Sequence, residues 1–266
     1  MHLLEAILIA IVEGLTEFLP ISSTGHMIVT EKLLGVPDND FTKLFTVGIQ
    51  LGAILAVVVF YWKKFIAPLR NRTKGMQFYL KLMVAAAPAL GLGYALSDYI
   101  DALLESTLTV AISMVAGGIV LLFIDRLFTK EAVKEEEQID FWRAFKIGCW
   151  QCIAMIPGVS RSASSIIGGM QQQLSRTLAA EFSFFLAVPT MAAATGYKLL
   201  KGYQQIGTDD LQLFAIGNAV AFIVSLLAIK FFIRFVQRNG FRVFAYYRIA
   251  VGTALLFLLA TGYLKA

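Results

Sequence analysis

Long apolar runs follow one another along the chain, and only short polar segments separate them. Six of these runs have about the 20 residues that a helix needs to cross the hydrocarbon core of a membrane. They cover residues 42–62, 79–97, 107–127, 179–199, 211–233 and 244–264. The pattern predicts an all-α polytopic integral membrane protein with six full transmembrane helices, organised as a single membrane domain over residues 1–266.

Two further apolar segments, residues 1–35 and 141–172, are each interrupted near the middle by proline, glycine and serine. The interruptions have the sequences LPISSTG and IPGVSRSAS. Proline breaks a helix interior, and serine favours the start of a new helix. Each segment is therefore expected to form two short helices that meet at a polar tip. We predict that both are re-entrant helical hairpins, which return to the side of the membrane that they entered from.

The charges between the apolar runs predict the orientation of the chain. Residues 63–81 carry six Lys and Arg and no acid, and residues 230–242 carry four Lys and Arg and no acid. Residues 97–107 carry three acids, the last of them Glu105, and no base. Because cytoplasmic loops are rich in Lys and Arg, the first two segments are expected inside and the third outside.

This orientation divides the chain into two similar halves, residues 1–127 and 140–266. Each half contains one hairpin followed by three spans, and the number of crossings gives the halves opposite orientations. The pattern predicts an inverted-topology repeat, an arrangement that places binding sites on broken helices at the interface between repeats. Irregular backbone at membrane depth must be surrounded by protein or line a cavity. The two tips are therefore expected to face each other across a polar cavity.

Composition supports a membrane protein. Hydrophobic residues make up 58% of the chain and charged residues 15%, against about 25% charged residues in soluble domains. The net charge of +5 comes from short loops that orient the helices, so membrane lipids are expected as partners and nucleic acid is not. The N-terminus lacks a basic region and its apolar stretch contains Glu5, so we do not interpret it as a cleavable signal peptide.

The first tip follows two acids, in the sequence EGLTEFLPISSTGH at residues 13–26. Glu13 and Glu17 are four positions apart and would project from one face of a helix. Inside a membrane, two adjacent carboxylates need a divalent cation, a buried Arg or a shared proton. The alternative is an interfacial helix whose acids lie in water.

Three hydroxyl residues and a histidine follow the acids at the predicted start of the next helix. A helix start presents free N–H groups and the positive end of the dipole, which favour phosphate. Capping explains one hydroxyl of Ser22, Ser23 and Thr24, so the others are candidates for substrate contacts. His26 lies in the first turn and is a candidate acid or base. Its alternative is a histidine that only satisfies a local hydrogen bond.

The second tip adds a cation. Arg161 is the only Lys or Arg between positions 147 and 175, and its planar guanidinium matches two phosphate oxygens. The alternative, a side chain that extends to the membrane surface, fits poorly with the neighbouring hydroxyls. Candidate substrate-binding groups near this arginine are Ser160, Ser162, Ser165 and, in the first span, Gln50.

Other conspicuous residues are interpreted more simply. Cys149 and Cys152 lie on an apolar hairpin helix without the pattern of a redox or zinc site, so packing is their expected role. Glu181 would be within reach of Arg161 if the tips meet, or it is an interfacial acid. Arg248 lies near the end of its helix beside tyrosines, so we interpret it as reaching the interface and place it outside the site.

Together these two motifs resemble those of the undecaprenyl-pyrophosphate phosphatases of the bacitracin-resistance family. The first family motif, a glutamate-rich stretch leading into Ser-Ser-Thr-Gly-His, is present as EGLTEFLPISSTGH. The second, PGxSRSxxT, is present as PGVSRSASS, with Ser165 in place of the final threonine. The resemblance extends over the whole chain.

The resemblance implies an enzyme of the bacterial plasma membrane that converts C55 polyprenyl pyrophosphate to the monophosphate carrier lipid of cell-wall synthesis and confers bacitracin resistance. It implies Mg²⁺ or Ca²⁺ as cofactor and a site open to the outer, periplasmic face. By this resemblance Glu13 and Glu17 are the functional acids, which we expect to bind the cation. Ser23 and His26 are the implied catalytic pair, and Arg161 binds phosphate.

The residues leave two alternatives open. Ser23 could attack phosphorus with His26 as base or acid, or His26 could attack while Ser23 orients it. A secondary transporter or lipid flippase for an anionic substrate is the rival function, because inverted repeats with broken helices are a transporter architecture. A structural membrane subunit is a third alternative. The sequence does not determine the oligomeric state, and a homodimer is compatible with it.

Overall fold

A computed structural model describes residues 1–70, 72–104, 106–207 and 210–263, without the side chains of residues 67–74, 101 and 205. The first half contains α1 (Leu3–Thr16), α2 (Ser23–Leu34), α3 (Asp40–Gly48), α4 (Gln50–Phe60), α5 (Trp62–Arg70), α6 (Arg72–Ala95), α7 (Ser97–Leu104) and α8 (Thr107–Leu127). The second half contains α9 (Phe141–Gln151), α10 (Arg161–Gln171), α11 (Arg176–Gly202), α12 (Asp210–Asn239) and α13 (Arg242–Ala260). The described residues contain no β-strand, which confirms the all-α prediction.

Within the described residues, six helical segments are long and apolar enough to cross a membrane, as predicted. They cover residues 40–60, 75–95, 107–127, 176–202, 210–239 and 242–260. The third matches its predicted bounds, whereas the fourth and fifth extend beyond theirs because a helix can continue into polar residues past the apolar run. Residue 264, the predicted end of the last span, lies outside the described residues.

The first span is broken at Ile49, where α3 ends and α4 begins. The side chain of Asn218 on α12 accepts a hydrogen bond from the Gly52 N–H at 2.7 Å. A Cβ atom at Gly52 would collide with the Asn218 carbonyl oxygen, so glycine is what lets α12 approach this closely. Gln50 starts α4 immediately after the break.

Both interrupted segments form two helices joined by a short tip, as the sequence predicts. The second helix of each pair begins after a serine with positive φ, 71° at Ser22 and 78° at Ser160. Positive φ is uncommon for residues other than glycine. Each serine hydroxyl accepts a hydrogen bond from the N–H three residues later, at 3.4 Å from Gly25 and 3.3 Å from Ala163. The tips are thus alike in backbone, and their re-entrance from one side of a membrane stays a prediction.

The helices of the two halves pack in a reciprocal way. Helix α1 packs against α12, and its counterpart α9 packs against α6, while α8 packs against α13 and α4 against α11. The counterparts in order along the two halves are α1 and α9, α4 and α11, α6 and α12, and α8 and α13. Replacing each helix by its counterpart gives the same set of pairs. Halves related by a two-fold axis would produce this pattern. The packing is consistent with the inverted repeat over residues 1–127 and 140–266, which stays a prediction.

Two predicted loops contain helices. Residues 63–81 are occupied by α5 and the start of α6, and residues 97–107 contain α7. Glu105, one of the acids used for the orientation, lies outside the described residues. Both cysteines are free, and Cys149 is exposed, so the expectation that it packs in the interior is wrong.

Candidate active site

The two tips touch each other directly. Nη2 of Arg161, at the start of α10, lies 3.1 Å from Oε1 of Glu17, which is 144 positions away along the chain. The hydroxyl of Ser162 donates to the Leu19 carbonyl at 2.7 Å. The folded chain therefore brings the first tip and the second tip into one site, as predicted.

A cavity of about 200 Å³ lies between the tips. Seven of the residues that the sequence singled out line it, namely Glu17, Ser22, Ser23, Thr24, Gln50, Ser160 and Arg161. Helix α2 starts on this cavity with Ser23, and α10 starts on it with Arg161. Two helix N-termini at one polar cavity make it suitable for an anion.

Glu17 connects the groups around the cavity. Its Oε2 accepts a hydrogen bond from the Ser23 hydroxyl at 2.6 Å, and its Oε1 accepts from Arg161. Only 7% of this residue is exposed. Because the Ser23 hydroxyl points its proton at a carboxylate, Glu17 is placed to accept that proton.

Glu13 lies one helical turn before Glu17, so the two carboxyl groups are neighbours. Glu13 is 1% exposed, and its Oε1 has no hydrogen-bond partner among the described residues. Beside these two carboxyl groups and the guanidinium of Arg161, a shared proton or a bound cation would balance the remaining charge. This buried, unpartnered oxygen is a suitable ligand for a cation, although the described residues do not gather three or more His, Cys, Asp or Glu at any one place.

The guanidinium of Arg161 is hydrogen-bonded through some of its nitrogens only. Its Nη1 donates to the Ser183 carbonyl at 2.9 Å, whereas its buried Nε has no partner among the described residues. Arg161 lines the cavity, so its guanidinium lies beside an anion bound there. Glu181 was expected near this arginine, but its carboxylate accepts from the Tyr61 hydroxyl at 3.3 Å instead. The arginine therefore contacts α11 through Ser183, two positions further along the helix.

His26 is held by partners other than the predicted ones. Its Nδ1 lies 2.7 Å from the Ser22 carbonyl, and its Nε2 lies 2.8 Å from the Tyr247 hydroxyl on α13. A carbonyl only accepts, so Nδ1 carries a proton. No hydrogen bond joins His26 to Ser23 in the described part of the chain. Tyr247 was not predicted as a site residue, because 221 positions separate it from His26 along the chain.

Arg248 lies in the protein interior and not at the membrane interface. It is fully buried, with 0% of the residue exposed, so the interpretation that it reaches the interface is wrong. Its five N–H groups donate to the carbonyls of Pro20, Ser113, Met114, Gly158 and Val159 at 2.8–3.3 Å. Pro20 belongs to the first tip, and Gly158 and Val159 belong to the second. Arg248 therefore ties both tips to α8 and uses its whole donor capacity to do so.

The second tip also approaches α8 closely. Gly158 has a φ of 90°, and a Cβ atom there would collide with the Val110 carbonyl oxygen. This position consequently requires glycine for its backbone conformation as well as for space.

Two of the predicted substrate-binding serines lie away from the cavity wall. Ser162 is 1% exposed and donates to the Leu19 carbonyl, while Ser165 is fully buried and donates to the Ser183 hydroxyl at 2.7 Å. Both hydroxyls are thus occupied by contacts within the protein. Their structural role is to attach α10 to the first tip and to α11.

Comparisons with known proteins identify the family of this chain. A family model described as "Bacitracin resistance protein BacA" matches residues 6–254. Three similar proteins carry the name undecaprenyl-diphosphatase. The one from Flavobacterium johnsoniae is 55% identical over 97% of this chain and 96% of its own. The one from Bdellovibrio bacteriovorus is 48% identical over 99% and 98%, and the one from Clostridium tetani is 44% identical over 96% of each chain. With these matches over nearly its full length, the chain belongs to the bacitracin resistance protein BacA family.

Proposed function

We propose that this protein is an undecaprenyl-diphosphatase, which hydrolyses undecaprenyl pyrophosphate to the monophosphate and inorganic phosphate. The observation that carries the proposal is the hydrogen-bonded series Ser23, Glu17 and Arg161 on a cavity between two helix N-termini. The relatives' shared name supports it over nearly the whole chain. The product would re-enter cell-wall synthesis as carrier lipid, and its recycling would give resistance to bacitracin.

The diphosphate is expected to lie between the starts of α2 and α10. Phosphoryl transfer depends on positioning and on neutralising charge around the transferred group. The guanidinium of Arg161 and the N–H groups of both helix starts would supply that neutralisation. The buried carboxylates would otherwise repel the substrate, so Arg161 and a bound cation are both needed.

Ser23 is the nucleophile that this geometry favours. Its oxygen would attack the terminal phosphorus while its proton passes to Glu17, and the bond from that phosphorus to the bridging oxygen would break, releasing the lipid monophosphate. Water would then hydrolyse the phosphoserine and regenerate the hydroxyl. His26 attack is the alternative, but both of its ring nitrogens are already hydrogen-bonded. Rapid quenching with ³²P-labelled substrate tests the choice, because the label is expected on Ser23.

We propose Mg²⁺ or Ca²⁺ as cofactor, held by Glu13 and Glu17. The unpartnered, buried Oε1 of Glu13 fits this role. A bound divalent cation supplies Lewis-acid stabilisation of phosphate charge.

Removal of divalent cations with EDTA is therefore expected to abolish turnover, and added Mg²⁺ or Ca²⁺ should restore it. Glu13→Gln should raise the cation concentration for half-maximal activity at least about tenfold, the effect of losing about 1.4 kcal/mol of binding energy. Glu5→Gln on the same helix is the matched control, because Glu5 only caps the helix start. Equal cation dependence in the two variants contradicts the proposed ligand.

Tyr247 is expected to position His26. Tyr247→Phe removes the hydroxyl that contacts Nε2 of His26. It should lower kcat about tenfold with little change in KM, because a misoriented acid or base transfers protons poorly. Tyr246→Phe, the exposed neighbour, should retain the activity of the parent protein. A rise in KM together with the fall in kcat in Tyr247→Phe would instead indicate a substrate contact.

The site is proposed to open to the outer face of the bacterial plasma membrane. Ile100 and Leu104 of α7 line the cavity, and α7 belongs to the acid-rich segment that the charge pattern puts outside. In a variant with both native cysteines replaced, Thr24→Cys should react in intact spheroplasts with a membrane-impermeant thiol reagent. Reaction only after the membrane is permeabilised contradicts this orientation.

A transporter or flippase is the second candidate, favoured by the broken first span and the reciprocal packing of the halves. The two functions separate in detergent, where no transmembrane gradient exists. The purified protein with Mg²⁺ or Ca²⁺ is expected to release inorganic phosphate from undecaprenyl pyrophosphate. Failure to release phosphate under those conditions favours the transporter.

A further inference from the structure

We propose a subsite for the first isoprene units of the lipid substrate, formed by α7 and the second tip. This inference rests on the proposed function, since it assumes that a polyprenyl pyrophosphate binds in the cavity. It assigns a binding role to α7, a helix that neither family motif contains.

The cavity has an apolar wall in addition to its polar one. The apolar side chains on it are Ile100 and Leu104 of α7, Ala154 and Met155 of the second tip, and Met191 of α11. Pyrophosphate and its cation would gain nothing from these residues. A ligand with a charged head and an apolar tail matches both walls at once.

The volume requires the tail to leave the cavity. About 200 Å³ is less than the roughly 300–1,000 Å³ of pockets that enclose drug-sized ligands. The space therefore suffices for the head group and the nearest carbons, and most of a C55 chain must lie outside. The position of the apolar wall determines where the chain emerges.

Apolar side chains next to the lining residues are exposed at the protein surface. Ile153 and Ile156 flank the lining residues of the tip and are 43% and 44% exposed. Leu103, next to Leu104, is 39% exposed. These exposed apolar side chains, adjacent in sequence to lining residues, would give the lipid tail an apolar surface to follow toward the lipid phase.

Local structure explains why these two segments form the path. Ile100 and Leu104 are four positions apart and share one face of α7. The second tip makes a tight turn at residues 152–155, which places Met155 next to α6; a Cβ atom on Gly93 would lie 3.7 Å from the Met155 methyl carbon. Because α7 follows α6 directly, this contact holds the tip and α7 on the same side of the cavity.

Chain-length dependence tests the subsite. The purified protein should hydrolyse farnesyl pyrophosphate with a higher kcat/KM than dimethylallyl pyrophosphate, because the longer chain reaches more of the wall. Leu104→Ser should lower the ratio of the two kcat/KM values about tenfold, the loss expected for a buried leucine contact of about 1.5 kcal/mol. Leu104→Met should retain most of the ratio of kcat/KM values measured for the parent protein.

Leu108→Ser is the matched control, since Leu108 is 43% exposed and does not line the cavity; it should leave the ratio unchanged. Ile100→Ser tests the same prediction if Leu104→Ser fails to accumulate. An unchanged ratio in the α7 variants, or an equal change in Leu108→Ser, overturns the subsite. Absence of phosphate release from undecaprenyl pyrophosphate by the parent protein contradicts the proposed function instead, so the two failures can be told apart.

Discussion

Arg161→Ala is expected to lower kcat/KM for undecaprenyl pyrophosphate about 10³-fold. Arginines that stabilise the transition state of phosphoryl transfer contribute about 10³–10⁵-fold, and Arg161 lies on the cavity with an unpartnered Nε. Arg161→Lys keeps the charge but loses the planar set of donors, so its activity should fall between the two. Phosphate release measured at several substrate concentrations gives these values.

Stability must be separated from chemistry in this variant, because Arg161→Ala leaves the Glu17 carboxylate buried without its cationic partner. The double variant Arg161→Ala with Glu17→Gln removes that lone charge. It should recover thermal stability and remain inactive. Arg143→Ala, which breaks a surface pair with Asp140, is the matched control and should stay within about threefold of the parent protein. Less than a tenfold loss in Arg161→Ala would remove this residue from the phosphate site.

Arg248→Ala is expected to have the second large effect, on stability and activity together. The substitution leaves five backbone carbonyls without their donor, and each buried group that finds no water costs about 1–3 kcal/mol. A net loss of about 3 kcal/mol corresponds to a fall of about 10 °C in the unfolding temperature. Turnover should be lost as the two tips separate.

Arg248→Lys distinguishes positioning from general stability. Lysine keeps the charge but offers three donors for five carbonyls, so the protein should fold while the tips are held less firmly. Well below its unfolding temperature, this variant should show kcat lowered about 100-fold and KM changed less. Arg238→Ala, on an exposed arginine of α12, should alter neither quantity. Full activity in Arg248→Lys would show that this residue does not position the tips.

The main components of the site were predictable because each tip carries its own chemistry in a short stretch of chain. Ser22 and Ser160 were recognisable as helix caps, since capping involves residues only three positions apart. Glu17, Ser23 and Arg161 were recognisable by charge and hydroxyl groups in an otherwise apolar segment. Hydropathy likewise located six spans, because the membrane imposes the same length on every crossing helix.

The roles within the site were less predictable. Ser23 and His26 are close on α2, which suggested that they act as a pair, but the turn of the first tip brings Glu17 to the Ser23 hydroxyl. His26 bonds Tyr247 instead, on a helix that nothing in the local sequence connects with the first motif. Local spacing specifies neighbours on one helix, whereas a turn or a second helix can supply a better partner.

Taken alone, the sequence determined the membrane-spanning helices, the two interrupted segments and the residue types at each tip, because these follow from hydropathy and short-range spacing. Only the tertiary structure decided that Arg248 lies buried between both tips and that α7 lines the cavity. A charged residue near a helix end can reach water or bind carbonyls, and its own segment does not distinguish the two. The choice depends on which backbone groups the rest of the fold leaves unpaired around it, and at Arg248 these are carbonyls from three separate parts of the chain.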